Sequence, residues 1–157
     1  GTLFLDEIAN IPPSQQARLL RVLEDGRFER LGSSRTQQVD VRVLAATNAN
    51  IQAEVDAGRF RADLLYRLNT IHIHLPPLRE RGDDIVRLAE SFLKRHSQRY
   101  RRDAESFTDV ALSELKRYFW PGNVRELSHV VERAVLMSAG RSIGPEDLAL
   151  AGPTHEP

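Results

Sequence analysis

Hydrophobic residues follow two rhythms along this chain: short continuous runs in its first half, and helical spacing in its second. Thr2-Leu3-Phe4-Leu5 is an apolar run that ends in Asp6 and Glu7, the pattern of a buried parallel strand with two acids at its C-terminal end. Pro12 and Pro13 predict the opening of a helix over Ser14 to Glu24, with Leu19, Leu20 and Leu23 on one face and Gly26 as its stop. Arg27 to Gln38, which holds Gly32, Ser33 and Ser34, reads as a hairpin or a mobile loop. Val39, Val41, Val43, Leu44, Ala45 and Ala46 predict a second buried strand ending at Thr47-Asn48. A helix-rich link that includes Arg61 to Arg67 leads to a third strand at Thr70 to His74.

Pro76 and Pro77 break this pattern, and only helices are predicted after them. The first is capped by Asp83 or Asp84, with Ile85, Leu88, Ala89, Phe92 and Leu93 along one stripe. Thr108 caps the second, which turns Val110, Leu112, Leu115 and Phe119 inward. The third runs from Asn123 to Ser138 with Val124, Leu127, Val130, Val131, Ala134 and Val135 at helical spacing. Ile143 to Leu150 forms a short terminal piece, and a tail from Gly152 to Pro157 is expected to be disordered.

Charge narrows the picture. The 22 basic and 22 acidic residues cancel, which removes any global electrostatic case for a nucleic-acid or membrane partner. Only Lys94 and Lys116 are lysines; the other 20 basic residues are arginines, which fork onto phosphates and carboxylates. A GC-rich genome accounts for that bias equally well. The absence of cysteine excludes disulfides, thiolate metal sites and a cysteine nucleophile. No signal peptide or membrane-length apolar run occurs, so the cytoplasm is the expected compartment.

An apolar strand ending in Asp-Glu suits nucleotide hydrolysis: one acid holds magnesium, chiefly through its water shell, and the next polarises the attacking water. Taken alone the pair is weak evidence, because two acids also cap a turn. Gly1-Thr2-Leu3-Phe4-Leu5-Asp6-Glu7-Ile8 says more. It resembles the Walker B segment of the AAA+ ATPases, and most closely that of the bacterial enhancer-binding proteins (NtrC-like) that activate sigma-54 RNA polymerase. Leu44-Ala45-Ala46-Thr47-Asn48 resembles the family's sensor I strand, which implies that Thr47 and Asn48 report on the γ-phosphate. Read without the family, they form an ordinary strand terminus.

Phe60-Arg61-Ala62-Asp63-Leu64-Leu65-Tyr66-Arg67-Leu68-Asn69 resembles the arginine-finger segment, implying that Arg61 and Arg67 reach the nucleotide of a neighbouring subunit. The plainer alternative is a solvated helix with Asp63 and Arg67 paired one turn apart. Leu75-Pro76-Pro77-Leu78-Arg79-Glu80-Arg81 resembles the junction between core and lid, where Arg79 or Arg81 would contact nucleotide or form salt bridges. Phe119-Trp120-Pro121-Gly122-Asn123-Val124-Arg125-Glu126-Leu127 resembles the sensor II signature, which makes Arg125 the lid arginine that touches nucleotide. An arginine early in a helix gains nothing from the helix dipole, which favours a functional role; Trp120 is assigned to packing. His72 and His74 share a predicted strand face, but with no third ligand nearby they read as ordinary polar positions. Arg99, Arg101 and Arg102 are followed at once by Asp103 and Glu105, which favours a solvated helix end over nucleic-acid contact.

The resemblance implies an α/β fold: a partial AAA+ (P-loop NTPase) parallel-sheet core over residues 1–76, an all-helical lid over 77–150 and a tail over 151–157. It also implies ATP and magnesium as cofactors, the sigma-54 RNA polymerase holoenzyme as partner, and a ring, expected to be a hexamer. The 157 residues contain neither a Gly-rich loop with a Lys-Ser/Thr ending nor the Gly-Ala-Phe-Thr-Gly-Ala loop that grips sigma-54, and no helix-turn-helix follows Leu150. The chain therefore reads as a fragment beginning at Walker B, inactive alone, with DNA contact left to a missing C-terminal domain. A non-catalytic assembly or partner-binding module of AAA+ ancestry is the alternative; another AAA+ machine, such as a helicase loader, is disfavoured by the run from Trp120 to Leu127. In the family's strand order, the strand before the phosphate loop lies between the sensor I strand and residues 70–74. Its absence would leave two parallel-strand edges unpaired, so the isolated polypeptide is expected to be poorly stable and prone to aggregate.

Overall fold

The computed structural model describes residues 1–29 and 35–150, which divide into two compact units, Gly1–Ile73 and the remainder from His74. The first unit is built on two parallel strands, β1 (Thr2–Leu5) and β4 (Arg42–Ala45), with Leu5 opposite Ala45. Pairing outlasts the strands: Ala46 N donates to Leu5 O at 2.9 Å, and Ile8 N donates to Ala46 O at 2.9 Å. A short 3-10 turn, Ile8–Asn10, leads into α1 (Pro13–Asp25), which has a proline at its first position, where no amide is needed. Gly26 ends α1 with φ 66°, and a Cβ there would lie 2.7 Å from Val39 O, so both backbone and space demand glycine. A hairpin follows, β2 (Arg27–Glu29) antiparallel to β3 (Thr36–Gln38); the predicted mobile stretch Gly32, Ser33 and Ser34 lies outside the described residues. Next come α2 (Ile51–Asp56), capped by Asn50 accepting from Ala53 N at 3.2 Å, and α3 (Ala62–Leu68). Ile8, Phe60 and Leu64 form the buried core of this unit against Leu19, Leu20 and Leu23 of α1.

Residues 70–74 do not form the expected third strand. No described strand lies beside them to pair their backbone groups, and a lone strand gains nothing from extension. Ile71 and Ile73 are accordingly 78% and 74% exposed, and Phe4 on β1 is 60% exposed.

The second unit opens on a 3-10 turn, Leu78–Glu80, followed by α4 (Asp84–Tyr100), β5 (Ser106–Phe107), α5 (Asp109–Arg117), α6 (Asn123–Met137), β6 (Ser142–Ile143) and α7 (Pro145–Leu148). It is not purely helical as expected: β5 and β6 pair in parallel, Phe107 opposite Ile143. Two-residue strands are too short to leave a period in the sequence, but they place Phe107 and Ile143 in the core with Leu115, Leu127 and Val131. Burying each such side chain contributes roughly 1.5–3 kcal/mol. Thr108 caps α5 by accepting from Ala111 N at 3.2 Å. Asp83 stands at the N-cap of α4 but makes no capping bond; its carboxylate meets Lys116 at 3.1 Å. Two arginines cap helix ends: Arg102 donates to the carbonyls of Val135, Leu136 and Ser138, and Arg133 to those of Leu148 and Ala149. The expected tail, 151–157, lies outside the described residues.

His96 sits buried between α4 and α6, its Nε2 3.3 Å from Ser128 Oγ and its Nδ1 without a hydrogen-bond partner, 3.9 Å from the Glu132 carboxylate. Tyr100 donates to the same carboxylate, and Arg95 and Arg99 add positive charge around the His96–Glu132 pair. Burial pushes the imidazole below its usual 6.5 and outweighs the pull of Glu132. The unfolded chain then binds the proton more tightly, so stability is intact above about pH 6.5 and falls as acid protonates His96. The denaturant midpoint read by Trp120, the only tryptophan, should drop between about pH 7.5 and about pH 5.5, and drop less in His96→Gln.

Candidate functional site

The β1–β4 pairing brings Asp6 and Glu7 alongside Ala46 and Thr47, at the same end of both strands. Glu7 adopts a left-handed backbone, φ 55° and ψ 42°, a conformation that costs a non-glycine residue of order 1 kcal/mol and clusters at functional sites. Its side chain is oriented by Asn10, whose Nδ2 donates to Glu7 Oε2 at 2.7 Å. Asp6 Oδ1 accepts from Glu7 N at 3.0 Å, and both acids are exposed. Thr47 Oγ1 accepts from Ala49 N at 3.1 Å and so closes the strand end, while Asn48 is exposed beside it. The geometry supplies two carboxylates and two polar side chains at one strand end. No group of three metal-ligating side chains occurs among the described residues.

Arg61 and Arg67 lie at opposite ends of α3, and both are held by local contacts. The Arg61 guanidinium binds Asp63 through two bonds of 2.9 and 2.6 Å, which raises its own pKa and lowers that of Asp63. Arg67 donates to Leu23 O from Nε and Nη2 at 3.3 and 3.2 Å. Asp63 therefore pairs with Arg61, not with Arg67 one turn on. Sequence reasoning missed Gln16, whose fully buried amide on α1 accepts from Arg61 N at 2.9 Å. The signal was present: Gln16 occupies the stripe position three, four and seven residues before Leu19, Leu20 and Leu23.

In the second unit, Arg79 lies 4.6 Å over the Phe119 ring and 3.5 Å from Glu80, while Arg81 binds Asp84 at 3.1 Å. Arg125, in the first turn of α6, is exposed and has no hydrogen-bond partner among the described residues. The turn before it is tightly built. Trp120 is fully buried, donates to Leu115 O at 2.8 Å and has φ 54°. Gly122 N donates to Glu126 at 2.8 Å, and a Cβ on Gly122 would sit 2.8 Å from that of Glu126. Asn123 accepts from Leu78 N at 2.7 Å and so ties the start of α6 to the Pro-Pro-Leu segment. His72 and His74 are exposed and lie on no strand. Of the basic cluster, Arg99 lies 3.8 Å from Glu132, and Arg102 caps α6 as described above.

A sigma-54 interaction domain model matches residues 1–74, and an AAA+ ATPase lid domain model matches residues 79–155. Regulatory protein AtoC of Escherichia coli is 52% identical over 148 residues, covering 94% of this chain and 32% of AtoC. Transcriptional regulatory protein ZraR of Klebsiella oxytoca is 50% identical over 151 residues, covering 96% of this chain and 34% of ZraR. Among solved structures, NtrX from Brucella abortus in complex with ATP has a TM-score of 0.81 at 37% identity, over 87% of this chain and 31% of that one. The chain thus spans about a third of the length of the relatives it matches.

Proposed function

Because the chain belongs to the sigma-54-dependent transcriptional activators, carrying the later part of their AAA+ domain, we propose that it supplies the water-activating and subunit-bridging half of an ATPase that remodels the sigma-54 RNA polymerase complex. The observation that supports this reading best is the parallel register that sets Asp6 and Glu7 beside Thr47. Asp6 would hold magnesium mostly through water, and its second carboxylate oxygen accepts no bond among the described residues. Glu7, already oriented by Asn10, polarises the attacking water, and Thr47 and Asn48 sense the γ-phosphate.

Arg61 and Arg67 complete the site of the adjacent subunit in a ring, a hexamer in this reading. Arg125, unpartnered among the described residues, contacts nucleotide from the lid. Arg79 and Arg81 are the secondary nucleotide contacts, and each would exchange an existing acidic partner for phosphate. The setting is the bacterial cytoplasm, with DNA bound through a separate domain. The 157 residues hold no phosphate-binding loop, so hydrolysis belongs to the full-length protein. A non-catalytic assembly module is the competing reading, and that missing loop is what favours it for the chain taken alone.

Glu7→Gln in the full-length protein separates the two. It should retain ATP binding while turnover falls about 10²- to 10⁴-fold, the scale of a lost general base. An unchanged low ATPase in both wild type and variant would leave the assembly module standing.

A further inference from the structure

Among the described residues of the first unit, Gln16 is the one large polar side chain that is fully buried, placed where the apolar stripe of α1 calls for a hydrophobe. An amide costs free energy there unless each polar atom is bonded. Both of its donor hydrogens and its carbonyl oxygen are bonded across the chain. Nε2 donates to Ile11 O at 3.0 Å and to Arg59 O at 2.8 Å, and Oε1 accepts from Arg61 N at 2.9 Å. Ile11 closes the turn that begins at Glu7, and Arg59 and Arg61 flank Phe60, which is buried in one cluster with Ile8. One amide therefore clasps the backbone after the hydrolytic acid to the backbone that bears Arg61. Asp63 then fixes the guanidinium itself.

From this juxtaposition we propose that Gln16 is a positioning residue for the arginine delivered in trans: it sets where Arg61 stands by locking the start of α3 onto the turn that follows Glu7. The proposal rests on the finger role given to Arg61 above. A leucine would fill the space and glue α1 to α3, but it would leave Arg61 N and two carbonyls without partners and the register of the segment loose. A small displacement of a phosphate-contacting group is enough to cost one to two orders of magnitude in rate.

The test is steady-state ATPase of the full-length protein carrying Gln16→Met, which keeps length and packing. Turnover should fall about 10- to 100-fold, with the Michaelis constant for ATP changed less than about threefold. Mixing with Glu7→Gln subunits, whose own sites are dead but whose arginines are intact, should restore turnover at the Gln16→Met sites. A merely structural role would not be repaired by a neighbour. A fall without restoration, or no fall while Arg61→Ala is inactive, overturns the proposal. An active Arg61→Ala would instead overturn the finger reading on which it rests. If Gln16→Met does not fold, Gln16→Asn, which keeps the amide but withdraws it by one methylene, is put through the same mixing measurement and read by the same outcomes.

Discussion

Arg61→Ala should lower ATP turnover of the full-length protein about a thousandfold or more, the scale of an arginine supplied in trans to phosphoryl transfer. In the proposed role the guanidinium meets charge that develops on the transferring phosphoryl group, so the loss should fall on kcat. The pair it now makes with Asp63 is exposed on both sides, 47% and 48%, and an exposed pair is weak. Exchanging that carboxylate for a neighbour's phosphate is therefore a small step, while the bidentate clasp keeps the fork extended in the meantime. Lysine should not substitute, because its ammonium cannot fork. Turnover of Arg61→Ala mixed with an excess of Glu7→Gln subunits decides the matter. Restored hydrolysis marks the arginine as delivered by the neighbour, and full activity of Arg61→Ala alone would remove it from the reaction.

Trp120→Ala should destabilise the helical unit by about 3–5 kcal/mol, the range for removing a large buried aromatic side chain. Three losses combine. The fully buried ring leaves a cavity, the edge contact with Tyr118 at 4.9 Å and 73° disappears, and Leu115 O loses its indole donor. Trp120→Phe keeps most of the ring and loses the donor, so it should cost less. Because φ is 54°, part of the wild-type backbone strain persists in either variant. Denaturant unfolding followed by circular dichroism measures both, since the substitution deletes the only tryptophan. A midpoint for Trp120→Ala within error of wild type would mean that the unit repacks around the gap.

Several elements were legible from a local period or cap. The strand before Asp6, the stripe of α1 with its Gly26 stop, and Thr108 before α5 each follow from one physical rule acting over a few residues. The strand expected to be buried is nonetheless exposed at Thr2, Leu3 and Phe4, where no neighbouring described element covers it. Residues 70–74 misled because alternation states only that a segment could pair, while pairing needs a second strand. The β5–β6 pair was invisible for the opposite reason: two residues a side carry no alternation, and the pairing is dictated by helices around it. At the candidate site, residue types marked Asp6, Glu7 and Arg61, but not that Asn10 and Asp63 orient two of them; Gln16 stood out only as a polar residue on an apolar stripe, with no sign of its partner. Gln16 meets Arg61 across a 45-residue separation, a pairing that no local reading contains.

Three of the arginines share a task for which a planar, multi-donor guanidinium is well shaped. Arg67 reaches Leu23 O in the last turn of α1, Arg102 gathers three carbonyls at the end of α6, and Arg133 takes two at the end of α7. Each guanidinium fills carbonyls that a helix leaves open at its C-terminus, where a positive charge also meets the favourable end of the dipole. The lopsided choice between the two basic residues is therefore partly architectural. A recoding of this chain that traded arginine for lysine would leave its net charge untouched, yet strip planar, multi-donor end-pieces from three helices.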